Sequence, residues 1–188
     1  MKRAMLVLAA VAVLGFTAGA QQAAPTTETN PVSNGLRSLE AREAKITVAA
    51  VEAMPAEKFS FRPTPQHNTF GHLVEHMVEM NYRFCSMITG AEAPKATPTK
   101  ETDPKDTLVP ALKSSFDFCT QSLAGLEDSK LGEQVPFFGG RMTSRGAIAV
   151  IFAQDYGDHY ASAAMYLRLS GIIPPTAQAP QGPPPAKP

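Results

Sequence analysis

The stretch TSRGAIAVIFAQDYGDHYASAAMYLRLSG (143–171) decides the fold. It reads as one helix from Thr143 to Ser170, ended by Gly171. At 100° per residue, Ile148, Ile151, Phe152, Asp155, His159, Ser162, Tyr166 and Leu169 fall on one side, which should face a core. Asp155 and His159 interrupt that apolar side one turn apart. An unpaired carboxylate buried there would be costly, so Asp155 needs a partner. Two readings stand side by side. The pair is a satisfied Asp–His contact that orders the core, or it is two metal ligands projecting into a helical bundle.

Working outward, three further helices are expected. The first runs from Val32 to Met54, with Leu36, Leu39, Ile46, Ala50 and Ala53 repeating at helical spacing and Pro55 as its stop. FSFRPTP (59–65) is a turn-rich connector. The second helix runs from Thr69 to Ile88, capped at Asn68 or Thr69 and stopped by Gly90. The third starts near Asp106 or Thr107, because Pro110 is tolerated only in a first turn. Its apolar stripe is Leu108, Leu112, Phe116, Cys119 and Leu123. A long connection, EDSKLGEQVPFFGGRM (127–142), turns at Gly139-Gly140. Strand patterns are nearly absent and no repeat is seen. These elements predict an all-α four-helix bundle over residues 31–173.

The second helix carries HLVEH (72–76), two of the chain's four histidines. Its apolar face centres on Met77, with Leu73, Met80, Phe84 and Ile88. His76 lies at the edge of that face, while His72 lies farther round with Glu75 and Glu79. His76 is therefore better placed to reach a buried site, and His72 reads as a surface residue. His67 precedes the helix and reads as a loop residue. HLVEH also matches the inverted zinc-peptidase pattern H-x-x-E-H. That match is discounted, since such enzymes are larger α/β proteins and Glu75 points away from the apolar side. No nucleophile elbow, phosphate-binding loop or dinucleotide fingerprint occurs.

The ends differ from the middle. Lys2 and Arg3, an apolar run from Ala4 to Phe16 and the small-x-small Ala18-Gly19-Ala20 read as a secretory signal peptide over residues 1–20, cut after Ala20. No cysteine follows that would take a lipid. Residues 21–30 read as a flexible leader. The tail 174–188 holds 7 of the 17 prolines and is expected to be disordered. Without residues 1–20, 15 Lys+Arg face 17 Asp+Glu, two basic residues fewer than in the whole chain. That balance, with no basic stripe, excludes a nucleic-acid partner, and no other segment reads as a membrane anchor. An exported protein, periplasmic or secreted, meets an oxidising compartment. There the two cysteines, Cys85 and Cys119, read as a disulfide rather than a redox motif.

FRPTP (61–65), FGHLVEHMVEMNYRFCS (70–86), FDFCT (116–120), FFGG (137–140) and DHYASAAMYLRLSGIIPP (158–175) together resemble the DinB-like (DNA-damage-inducible, YfiT-like) superfamily. The resemblance covers nearly all of the expected mature chain. It implies a four-helix bundle with a long crossover connection and one divalent metal ion held by three side chains. Those are one His on the second helix and an H-x-x-x-H pair on the last. Carried over, the ligands fall on His76, Asp155 and His159. Asp155 stands where the family usually has His, and two His with one carboxylate suit Zn, Ni, Mn or Fe. The activity implied is that of a single-metal-site enzyme of the hydrolytic kind, in which the ion acidifies a water and polarises a small-molecule substrate. Tyr156, Tyr160 and Arg168 are the candidate substrate-orienting residues; packing and helix C-terminal charge also account for Tyr160 and Arg168. Two alternatives follow: a non-catalytic binding or structural bundle with a degenerate site, and a thiol-dependent S-transferase. Export weakens the second by removing the protein from a cytosolic thiol cofactor. Family analogy also admits a homodimer. Neither substrate nor catalytic base is named by the sequence.

Overall fold

The computed structural model describes residues 27–95 and 98–178; the expected signal peptide, most of the leader and the last ten residues lie outside them. Four long helices form the body: α1 (Pro31–Ala53), α2 (Phe70–Thr89), α3 (Lys105–Leu123) and α4 (Arg145–Leu169). The local reasons are as expected at most ends. Pro31 opens α1, and Met54 leaves it in an extended conformation before Pro55. Thr69 accepts from the His72 amide at the start of α2, and Gly90 closes it at φ 81°, a left-handed angle that glycine adopts at little cost. Ser144 caps α4 by accepting from the Ala147 amide. The carboxylate of Asp128 caps α1 from across the bundle, accepting from the Val32 and Ser33 amides at 3.0 and 2.7 Å. One boundary differs. Helix α3 begins at Lys105, so Pro110 lies in its second turn, where it forgoes one backbone hydrogen bond.

The order of packing explains the connections. Helix α1 packs against α3 and α4, and α2 packs against α3 and α4, so consecutive helices α1/α2 and α3/α4 sit on diagonals. Segments 54–69 and 124–144 cross those diagonals. Helices α2 and α3 run parallel, as the pairs Asn81–Ser115 and Cys85–Cys119 show. Parallel neighbours require a return along the helix length, about 30 Å for a helix of this size, and segment 90–104 supplies it. This is the long crossover. Its described residues Ala93, Pro94, Pro98 and Thr99 lie beside residues 75–82 of α2, and Glu101 reaches the start of that helix, where a Cβ added at Gly71 would meet the Glu101 carbonyl oxygen.

The core is a stack of side chains from all four helices. Phe84, Phe152, Tyr156 and Phe116 form one aromatic ladder, with centroid spacings of 4.9, 4.1 and 5.8 Å. Phe59, Phe70 and Tyr166 form a second cluster nearer the start of α2. Cys85 and Cys119 are bonded, with Cα atoms 5.4 Å apart, as the pair was read. No helix among the described residues is long and apolar enough to cross a membrane.

Four readings need correction. The stripe of α4 is rotated: Ile148, Phe152, Tyr156, His159, Ala163 and Tyr166 are buried, whereas Ile151 and Leu169 are 41% and 57% exposed. Leu and Ile on a helix flank cost little when exposed, so their count did not mark the true centre. In α1 the buried series is Ser33, Leu36, Glu40, Glu43, Thr47, Ala50 and Val51, not the series through Leu39, Ile46 and Ala53. A short antiparallel hairpin, β1 (Gln134–Pro136) with β2 (Met142–Ser144), precedes α4. Three-residue strands are too short to show alternation. Gly139 and Gly140 make its turn, both at positive φ. Finally, the ordered chain continues past residue 173. Pro174 is buried, a single 3-10 turn spans Pro175–Ala177, and Tyr160 donates to Thr176 Oγ1 at 2.8 Å.

Candidate metal centre

His76 projects from α2, and Asp155 and His159 project one turn apart from α4. The antiparallel packing of the two helices brings them together. The His76 and His159 rings meet edge to face with centroids 5.2 Å apart. His159 Nδ1 lies 3.5 Å from Asp155 Oδ2, longer than a good hydrogen bond. His159 is buried and Asp155 half-buried, and Asp155 Oδ2 is sealed from solvent with no hydrogen-bond partner.

Burial disfavours the charged form of both groups. Burial, together with the neighbouring His76 and against Asp158, lowers the His159 pKa to about 4. Burial raises the Asp155 carboxyl above its ordinary value, against the attraction of His76. The 3.5 Å contact therefore does not behave as an ion pair, because desolvation outweighs the mutual attraction of the two groups. A neutral imidazole is the ligand form of histidine. An unpartnered buried carboxylate oxygen beside it is an acceptor that lacks a cation or proton. The donor set fits a divalent ion of the Zn, Ni, Mn or Fe type. Among the described residues, however, no three His, Cys, Asp or Glu side chains are already gathered closely enough to enclose an ion.

A cleft of about 400 Å³ opens beside His76, lined by His67, Asn68, His72, Leu73, His76, Ser162, Met165 and Tyr166. His72 is thus not turned to a separate surface. Its ring lies parallel to that of His76, at 7° and 6.3 Å. His67 shares the cleft, with its Nδ1 2.8 Å from Thr64 Oγ1.

The three candidate orienting residues are placed differently. Tyr156 is 2% exposed in the aromatic ladder, and its buried hydroxyl has no partner. Tyr160 binds Thr176, and Arg168 is exposed in the last turn of α4. None of the three lines the cleft.

Sequence reasoning missed Glu40 and Glu43. Both are buried on α1, at 1% and 3% exposure. Glu40 accepts from Thr120 Oγ1 at 3.0 and 3.1 Å. Glu43 pairs with Arg42 through one oxygen and leaves Oε2 without a partner. Burial raises the pKa of each. With Asp155 they also act on Tyr156, whose phenol burial pushes far above its ordinary range. A polar layer therefore lies behind the His76 side of the bundle. Its signal in the sequence was spacing alone: positions 33, 36, 40, 43, 47 and 50 alternate steps of three and four.

A family model described as the DinB superfamily matches residues 40–163. The structure is similar to the crystal structure of a DinB-like protein from Bacillus cereus, at 18% identity and a TM-score of 0.63, covering 76% of this chain and 95% of that one. It is also similar to a DinB-like protein from Bacillus subtilis, at 18% identity and a TM-score of 0.62, covering 78% of this chain and 100% of that one. No curated protein matches the sequence. The four-helix architecture with its parallel-pair crossover, and the match across residues 40–163, lead to one conclusion: the chain belongs to the DinB superfamily.

Proposed function

We propose that this protein is an exported, metal-dependent enzyme of the hydrolytic type, with His76, Asp155 and His159 as the ligands of one divalent ion. The observation that carries the reading is the buried, unpartnered Asp155 Oδ2 beside a His159 held neutral by burial. His76 adjoins both this pair and an open cleft. A divalent ion held there supplies Lewis acidity and acidifies a water. The chain's own residues do the rest. His76 stands between cleft and interior, so a small molecule entering past Ser162 and Met165 reaches the ligand set from the α2 side. The aromatic ladder behind Asp155 excludes bulk water and strengthens local electrostatics. The N-terminal segment read as a signal peptide and the Cys85–Cys119 bond support export.

A second reading, a non-catalytic bundle with a structural Asp155–His159 pair, is favoured by the contact of these two side chains with each other. Calorimetric titration of chelator-treated, untagged protein with Zn, Mn, Ni and Fe(II) separates the two. The enzyme reading expects a dissociation constant below about one micromolar, roughly −8 kcal/mol, lost in His76→Ala, Asp155→Ala and His159→Ala. Failure of the unmutated protein to bind any of these ions at that level favours the structural bundle.

A further inference from the structure

We infer that His72 and His76 form an outer divalent-cation site at the mouth of the cleft, which captures an ion before His76 delivers it to Asp155 and His159. The delivery half rests on the metal reading of the inner residues; the capture half does not. Four observations converge on it. The two imidazoles are one turn apart on α2 with parallel rings, 6.3 Å between centroids. Both line the same open cleft. The Nδ1 of His72 faces two carboxylates, Glu101 at 3.6 Å and Glu75 at 3.8 Å. Both lie beyond hydrogen-bond reach in this arrangement, but a carboxylate that closes on one ring nitrogen orients an imidazole and raises the basicity of the other. Glu101 reaches His72 because the crossover presses its backbone against α2 at Gly71, where no side chain intervenes.

The rings as they stand are parallel and do not converge on one point, so chelation requires His72 to change rotamer. Two bonds of about 2.1 Å to a shared tetrahedral ion set imidazole centres roughly 5 Å apart. The His72 side chain is 38% exposed, so rotation about its own bonds closes the remaining gap without moving the helix. His76 is shared: its ring lies 5.2 Å from His159 on the inner side. An ion on His72 and His76 therefore has its next two ligands within one side-chain movement. The outer pair has two protein ligands and the inner set three, so the ion rests inside and the outer position is transient.

Asp155→Asn disables the inner set while preserving shape, and Ni²⁺ is the probe. Calorimetry of full-length Asp155→Asn should show one Ni²⁺ bound more weakly than in the unmutated protein. That binding should vanish in the Asp155→Asn/His72→Gln double variant and weaken roughly tenfold with Glu101→Gln. In otherwise unmutated protein, His72→Gln should slow Ni²⁺ uptake in stopped flow and leave the final affinity nearly unchanged. If Asp155→Asn binds no Ni²⁺, or binds it equally with and without His72, the outer site does not exist and His72 makes carboxylate contacts only. If His72→Gln leaves uptake unchanged, delivery is overturned. Failure of the inner reading shows separately, as the absence of any Asp155-dependent affinity in the unmutated protein.

Discussion

Breaking the Cys85–Cys119 bond tests the packing of the two parallel helices. The bond joins α2 to α3 across a sequence separation of 34, and both residues are fully buried. In the loop-entropy model, cross-linking such a loop removes about 12–13 cal/mol/K from the unfolded chain, or about 3–4 kcal/mol at 25 °C. For a domain of this size, each kcal/mol moves the melting temperature by about 2–4 °C. The oxidised protein should therefore melt about 6–16 °C above the reduced one, once reduction is carried out in denaturant so that the buried bond is reached. Urea unfolding of both forms, by circular dichroism, measures the same difference at constant temperature. The Cys85→Ala/Cys119→Ala variant should resemble the reduced form, with a further loss for the cavity it leaves. A difference below about 1 kcal/mol, well under the loop-entropy value, would refute the reasoning. So would labelling of both thiols in denatured protein isolated without reductant.

Chelator-treated protein should lose a stabilising contribution on acidification. The His159 pKa is lowered to about 4 in the fold, whereas an unfolded histidine titrates near 6.5. The unfolded state thus binds more protons between those values. The contribution is fully present above about pH 6.5 and lost as pH falls toward 4, at most about 3 kcal/mol. Asp155, Glu40 and Glu43 have raised values and act in the opposite sense, so His159→Gln must be compared with unmutated protein at each pH. A difference constant across that window would rule the effect out. Tyr156→Phe should raise stability by about 1 kcal/mol, because it deletes a buried hydroxyl lacking a partner and keeps the ring between Phe116 and Phe152; a loss of that size in urea unfolding would show that the hydroxyl is bonded. Gly71→Ala should destabilise by about 1–3 kcal/mol, since the new methyl meets backbone of the crossover, and a neutral outcome would mean the crossover does not press on α2.

The sequence by itself determined the four helices, because each ends at a proline, glycine or capping residue whose backbone chemistry is local. It also determined the class of the bundle, and it singled out His76, Asp155 and His159. Two imidazoles and a carboxylate near apolar faces are conspicuous against a hydrophobic background. Tertiary structure decided which sides of α1 and α4 are interior. Glu40 is buried with its oxygens met by Thr120 of α3, and a partner on another helix cannot be read from the sequence of α1. Leu169 and Ile151 are exposed because neighbouring helices are absent from their side, not because of their own polarity. His72 shows the same limit. Its angle on the α2 wheel places it outside the apolar face, but the crossover and α4 raise walls around that position and make it part of a cleft. A helical wheel records direction from one axis; enclosure depends on what the other helices and the crossover place opposite.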